Sequence, residues 1–285
     1  MKREKAISVI LFLMALSAIS GLALITIFIF KEGLPLILHV GFTDFFLSSD
    51  WSPKTDGTFG ILAMIVGSLM ATAGAMIIAV VFGLGCAIVL TQFCPRRLVS
   101  ILKPGIELLA GIPSVVYGFM GVIILVPFIR ETFGGPGLSV LAASIILGIM
   151  ILPTIISISV DSLQAVPPSY REGSIALGAT KWQTVKMVLL PAARSGIIAS
   201  IILGMGRAIG ETMAVIMIAG NAASVPHSIL DPVRTLTSNI ALEMGYAAGE
   251  HRQALFATGV ILFIIIMLLN TIANVTASRM KGTKR

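Results

Sequence analysis

Six long apolar runs dominate this chain, and they leave little freedom in what it folds into. They cover residues 7–30, 59–90, 108–129, 138–160, 195–220 and 254–278. About 20 apolar residues suffice to cross a bilayer as a helix. Hydrocarbon offers the backbone no hydrogen-bond partner, so a spanning segment must satisfy its own N–H and C=O groups. With 56% hydrophobic residues, 12% charged residues and a mean hydropathy of +1.01, the chain reads as an all-α polytopic membrane protein with six transmembrane helices. The run 59–90 is too long for one upright helix, which predicts tilt, a protruding end, or a bend near Gly67, Gly74, Gly83 or Gly85. The run 7–30 follows Lys2, Arg3 and Lys5, as a signal peptide would. It is far longer than the usual h-region of about 7–15 residues and no A-x-A site follows, so it reads as a retained anchor.

The basic residues are unevenly placed. Lys2, Arg3, Lys5, Arg96, Arg97, Lys103, Arg171, Lys181, Lys186, Arg194, Arg279, Lys281, Lys284 and Arg285 share one side of the six-span topology, 14 in all. Lys31, Lys54, Arg130, Arg234 and Arg252 are the 5 on the other. The positive-inside rule then predicts that both termini are cytoplasmic. The net charge of +7 is accounted for by topology, with no nucleic-acid partner implied. Cys86 and Cys94 read as free thiols, so no disulfide framework is expected. His39, His227 and His251 are scattered with no H-E-x-x-H spacing, and no metal site is predicted.

The fifth run alone holds formal charges, Arg207 and Glu211, four residues apart. A charge at the bilayer centre costs about 2.5–3.5 kcal/mol on insertion scales. In a continuous helix the two share a face, near the midplane. Gly206 and Gly210 form a G-x-x-x-G strip beside them, which suits close approach of a neighbouring helix. Two readings stay open at this point: an ion pair that glues helices together, or part of an anion path. The guanidinium fork fits phosphate oxygens. In the second reading Glu211 holds Arg207 while the path is empty, and the passing anion competes for it.

The segment 166–191 is the other informative stretch. Ser169 with Glu172 after Pro167-Pro168 predicts a capping box, and Gly178 suits a left-handed helix end. Thr180 with Gln183 predicts a second capping box, and Pro191 the end or a kink of the helix that follows. The expectation is two short helices meeting at a glycine turn, a rigid knob suited to a partner's groove.

The spacing of Glu172, Gly178, Val188, Leu190 and Pro191 resembles the EAA coupling motif of ABC-transporter permeases. Gly173 and Ser174 stand where the motif has two alanines, and Val188 where it has isoleucine. A closer resemblance is carried by Ile112-Pro113-Ser114-Val115-Val116-Tyr117-Gly118, by residues 166–184, and by Gly206-Arg207-Ala208-Ile209-Gly210-Glu211-Thr212-Met213-Ala214. These look like the phosphate ABC-transporter permeases of the PstC type, over roughly residue 107 onward.

That resemblance implies a type I ABC importer permease fold with cytoplasmic coupling helices. Residues 1–58 are then an N-terminal anchor helix and first external loop, and 59–285 the permease domain. It implies a PstA-type sister permease, two copies of an ATP-binding subunit and an extracytoplasmic phosphate-binding protein, in a bacterial or archaeal cytoplasmic membrane. ATP and magnesium belong to the partner ATPase, and this chain has no G-x-x-x-x-G-K-[ST] loop of its own. Substrate passage is assigned to Arg207 and Glu211, and coupling to Ser169, Arg171, Glu172, Gly178, Thr180, Leu190 and Pro191.

Other residues admit two readings each. Pro113, with Tyr117 one turn on, marks a kink or ordinary packing. Asn221 and Asn239 line an outer vestibule or are plain loop polarity. Trp182 anchors in a partner or sits among lipid headgroups. Rival functions are a permease for sulfate, molybdate or phosphonate, and an ion-coupled secondary carrier. The carrier lacks two inverted halves here. An intramembrane enzyme is disfavoured because no span carries a catalytic constellation.

Overall fold

The first apolar run does not stop where its hydropathy falls. In the computed structural model, which describes residues 2–282 and the side chains of 7–95, 97–273 and 275, it continues as one helix, α1 (Lys2–Val40). Gly41, at φ 92°, follows its last residue, and the Gly41 N–H bonds back to the Ile37 carbonyl at 3.1 Å. Most of the segment expected as an outer loop is therefore ordered structure. A short helix α2 (Phe42–Leu47) leads into a two-stranded hairpin, β1 (Trp51–Ser52) against β2 (Thr58–Phe59), with Trp51 paired to Phe59.

The second run forms α3 (Leu62–Ile88), extended by a π-helical turn at Val89–Phe93. Its length is taken up without a break at any of its glycines. They serve contact instead: a Cβ at Gly67 would meet the Arg234 carbonyl oxygen at 2.7 Å, and one at Gly74 would collide with Ser144. Ala71, Ala75 and Ala79 lie on the same buried stripe. Lipid tails are as apolar as leucine, so helices in a membrane associate through close packing of small residues more than through apolar burial.

The third run is divided. An amphipathic helix α4 (Arg96–Ala110) ends at Gly111, and α5 (Ser114–Met120) begins after Pro113. A π-helical turn (Gly121–Leu125) and α6 (Val126–Phe133) complete that span, Ser114–Phe133. The fourth run is apolar on every side, and a helix of that kind belongs in the interior. It forms α7 (Val140–Gln164), capped by the Ser139 hydroxyl and packed between α3 and the fifth span.

The fifth span starts earlier than its hydropathy implies. After α8 (Pro168–Ala176), α9 (Lys181–Thr184) passes through a π-helical turn at Val185–Leu189 into α10 (Leu190–Gly210) without interruption. Pro191 thus neither ends nor kinks the helix into two pieces. It lies in the first turn after the widened π segment, where a missing N–H is tolerated. A short α11 (Met213–Ile218) and α12 (Leu236–Glu243) precede the last span in α13 (Gly249–Gly282). The helix α1 rests on α13, where a Cβ on Gly33 would sit 2.6 Å from the Ala257 nitrogen.

Among the described residues, six helical segments are long and apolar enough to cross a membrane. Three apolar clusters hold them together. One surrounds α7 at mid-depth, one lies under α8 and α9, and one joins the hairpin to α12 and α13. The bundle therefore has a capped end, bearing the hairpin and α12, and a knob end, bearing α4 and α8. The side chains of Lys2, Arg3, Lys5, Arg96, Arg279 and Lys281, and all of Lys284 and Arg285, lie outside the described residues.

Candidate functional site

The charged pair does not share a helix face. α10 stops at Gly210, and Glu211 turns to an extended conformation, φ −68° and ψ 133°. Arg207 occupies the last helical turn, where a cation complements the negative helix end. Among the described residues no carboxylate lies within 4 Å of its guanidinium. One Arg207 Nη donates to the Thr154 hydroxyl of α7 at a long 3.4 Å, and Tyr117 lies within electrostatic reach. The Glu211 carboxylate points elsewhere and accepts from the Ala214 N–H at 3.2 Å, capping the start of α11. Its backbone carbonyl accepts from the Thr237 hydroxyl at 2.9 Å. The expected i, i+4 pairing fails because the chain leaves the helix between the two residues.

Arg207 is exposed, one helical turn from the exposed Leu203. A Cβ added at Gly206 or Gly210 would meet nothing within 4 Å, so the G-x-x-x-G strip is bare in the single chain.

Pro113 marks a second discontinuity. It precedes the first residue of α5, so the chain turns there between two helices and no helix is kinked. The Tyr117 hydroxyl closes this turn by donating to the Leu109 carbonyl at 2.8 Å. At both breaks a side-chain hydroxyl thus donates to a backbone carbonyl, Tyr117 to Leu109 and Thr237 to Glu211.

At the knob end, Gly178 has φ 82°, its N–H bonds the Ile175 carbonyl at 2.9 Å, and the Ala179 N–H bonds the Ser174 carbonyl at 3.2 Å. This is the glycine-terminated helix end expected from sequence. The Thr180 and Gln183 capping box is also present, at 3.3 and 2.8 Å. The Ser169 box is absent: Pro168 is the first residue of α8, which puts Ser169 inside the helix. Ser174 and Thr184 hydroxyls meet at 3.0 Å and fasten α8 to the base of the fifth span. Arg171 and Glu172 are exposed, Pro191 faces solvent, and Leu190 packs inward. Around the turn, Tyr170, Ile175, Trp182 and Met187 are at least half exposed, and Leu177 is 91% exposed. Beside them runs an open groove of about 660 Å³ bordered by Tyr170, Met187, Pro191 and Arg194. The knob is therefore fixed from behind and apolar in front.

The capped end holds a cluster that the sequence concealed. Glu243 is 8% exposed and accepts from three directions. Trp51 Nε1 lies at 2.9 Å, His251 Nε2 at 2.8 Å and an Arg234 Nη at 2.7 Å. Arg234 also donates to the Asn221 carbonyl and to Asn239 Oδ1. Asn221 and Asn239 thus belong to this network and do not line an open vestibule. Trp51 and Glu243 are 192 positions apart, and no local pattern joins them. Thr154, which Arg207 contacts, is one of several hydroxyl residues in that apolar run, and its position alone did not distinguish it.

Comparison with known proteins places this geometry. The family of binding-protein-dependent transport system inner membrane components matches residues 79–282. The chain is 42% identical over 273 residues to the probable ABC transporter permease protein YqgH of Bacillus subtilis, covering 94% of this chain and 88% of that one. It is 40% identical over 250 residues to the phosphate transport system permease protein PstC of Mesorhizobium japonicum, covering 80% and 76%. A solved bacterial ABC transporter for import of the acidic polysaccharide alginate shares the fold, with TM-score 0.63 at 14% identity over 94% of this chain and 96% of that one. The chain has the all-α polytopic fold of a type I ABC importer permease, and it belongs to the binding-protein-dependent transport system inner membrane components.

Proposed function

We propose that this chain is the permease subunit of an ATP-driven importer that carries inorganic phosphate into the cytoplasm. The names of its PstC relatives support the cargo. The observation that carries the path is Arg207: a permanent cation in a membrane-spanning bundle, at a helix break, with no carboxylate within 4 Å among the described residues. Its unengaged donors face outward from the single chain, where the bare Gly206 and Gly210 strip leaves room for a PstA-type sister subunit. Phosphate then passes between the two subunits. Glu211 shapes the break by capping α11, and its charge keeps anion binding weak enough for release.

The knob end is cytoplasmic in this reading, in accord with Arg97, Lys103, Arg171, Lys181, Lys186 and Arg194. Both termini are on that side, in a bacterial or archaeal cytoplasmic membrane. One of two ATP-binding subunits receives the apolar front of α8, with Glu172, Arg171 and Thr180 at its edge. ATP and magnesium are bound there and not by this chain. The extracytoplasmic binding protein delivers to the capped end. Residues 1–58 serve as anchor and outer cover, and 59–285 as the permease unit.

Radiolabelled phosphate uptake by the assembled complex tests the path. Arg207→Gln lowers uptake by about 100-fold or more while the subunits still copurify, as expected for loss of a charge-assisted contact. Normal uptake at normal protein level would remove Arg207 from the path. An assembled wild-type ATPase complex that fails to import phosphate would redirect the cargo to another oxyanion.

A further inference from the structure

We propose that α12 is a strut that carries the state of the capped end to the helix break at Glu211, with Thr237 and Trp51 as the positioning residues at its two ends. The inference rests on the permease reading above.

The helix α12 has only eight residues, yet both of its ends are tied to other elements by buried polar contacts. At its start the Thr235 hydroxyl caps the Ser238 N–H, and the Leu236 N–H bonds the Ser68 hydroxyl of α3 at 2.9 Å. The next side chain, Thr237, is 7% exposed and reaches the carbonyl of Glu211, the residue at which α10 stops. At its other end Glu243 gathers the Trp51 indole from the hairpin, the His251 imidazole from α13 and the Arg234 guanidinium. A single rigid helix of about two turns therefore joins a surface element of the capped end to the break beside Arg207.

The contacts have a property that plain scaffolding lacks. Asn239 is fully buried on α12, and its Nδ2 finds no hydrogen-bond partner among the described residues. The same holds for Asn221 Oδ1, on the other side of Arg234, where the backbone adopts φ 54°. Buried polar atoms are otherwise satisfied almost throughout native structures. An unpaired donor and an unpaired acceptor flanking one guanidinium give the strut a reason to shift: a displaced α12 can pair what this position leaves unpaired. Movement of the hairpin on binding-protein docking would then pull on Glu243, and Thr237 would move the carbonyl of Glu211.

ATP hydrolysis by the complete complex in proteoliposomes, titrated with the binding protein, reads this directly and does not depend on which anion is carried. Thr237→Val removes one hydroxyl and keeps the shape. Maximal stimulation by the binding protein should fall about fivefold, with the half-saturating concentration unchanged, on the scale of one lost hydrogen bond. Thr237→Ser should restore it. Trp51→Phe, at the far end, should lower the same maximum. Unchanged stimulation in Thr237→Val overturns the proposal. So does a change in half-saturating concentration alone, which would mean that α12 only shapes the docking surface. Should Thr237→Val fail to assemble, Trp51→Phe carries the test, and failure of both to assemble overturns it in favour of a purely structural role. Loss of phosphate transport by wild type with intact stimulation would count against the cargo and leave the strut standing.

Discussion

The two ends of the bundle use polar groups in opposite ways. At the capped end Arg234, Glu243, His251, Asn239 and the Trp51 indole face one another, largely out of solvent. At the knob end Glu172 and Arg171 stand in solvent, and the large side chains exposed beside them are apolar: Ile175, Leu177, Trp182. A pair shielded from water is costly to halve, whereas an exposed pair contributes little. The capped end is thus completed by its own chain, and the knob end leaves apolar side chains uncovered.

Substitutions can break this contrast, beginning with the capped end. Glu243→Ala leaves the partly buried Arg234 without its carboxylate and should cost about 3 kcal/mol of folding stability. Thermal unfolding of the purified permease pair measures it, and a loss below the scale of a surface pair would show the network to be solvated. Gly178→Ala comes next, because an L-residue held at φ 82° costs roughly 1–2 kcal/mol. No atom lies within 4 Å of a Cβ there, so the cost is conformational. It should appear as weaker copurification of the ATPase with the permease fold intact. Thr180→Ala should cost about 1 kcal/mol through loss of the capping box, read as faster hydrogen exchange in residues 181–184.

The smallest effect belongs to Lys103 and Asp161, an exposed pair at 2.8 Å between α4 and α7. The hydrogen bond to Asp161 raises the Lys103 ammonium above its ordinary range. A raised lysine stabilises the fold fully below its unfolded value and loses that contribution as pH rises through the folded one. Lys103→Met should therefore narrow the stability difference between about pH 9 and pH 12 that wild type shows. An identical alkaline profile in both proteins would mean the pair contributes nothing measurable.

Much of this was legible in the sequence because it is written locally. Apolar length gives six spans, and Gly178 and Thr180 announce their own conformations. What escaped was non-local or depended on competition between neighbours. Ser169 looked like a cap, but the rigid Pro167-Pro168 pair starts the helix two residues too early for it. The break at Glu211 sits in unbroken hydropathy, and only Thr237, 26 positions away, makes the free carbonyl tolerable. Pro191 looked like a terminator, yet a widened turn just before it absorbs the missing donor. Trp51 and Glu243 meet through topology alone.

That widened turn sets a phase. A helix that carries one surplus residue within a turn rotates everything before it against everything after it by about 100°. Before Val185–Leu189 lies the knob, and after it lies Arg207. The angle between the knob and Arg207 is therefore held as a single unit of chain length. Gain or loss of one codon there would re-aim one against the other and leave the chemistry of both untouched. In such a protein, orientation and chemistry are inherited separately.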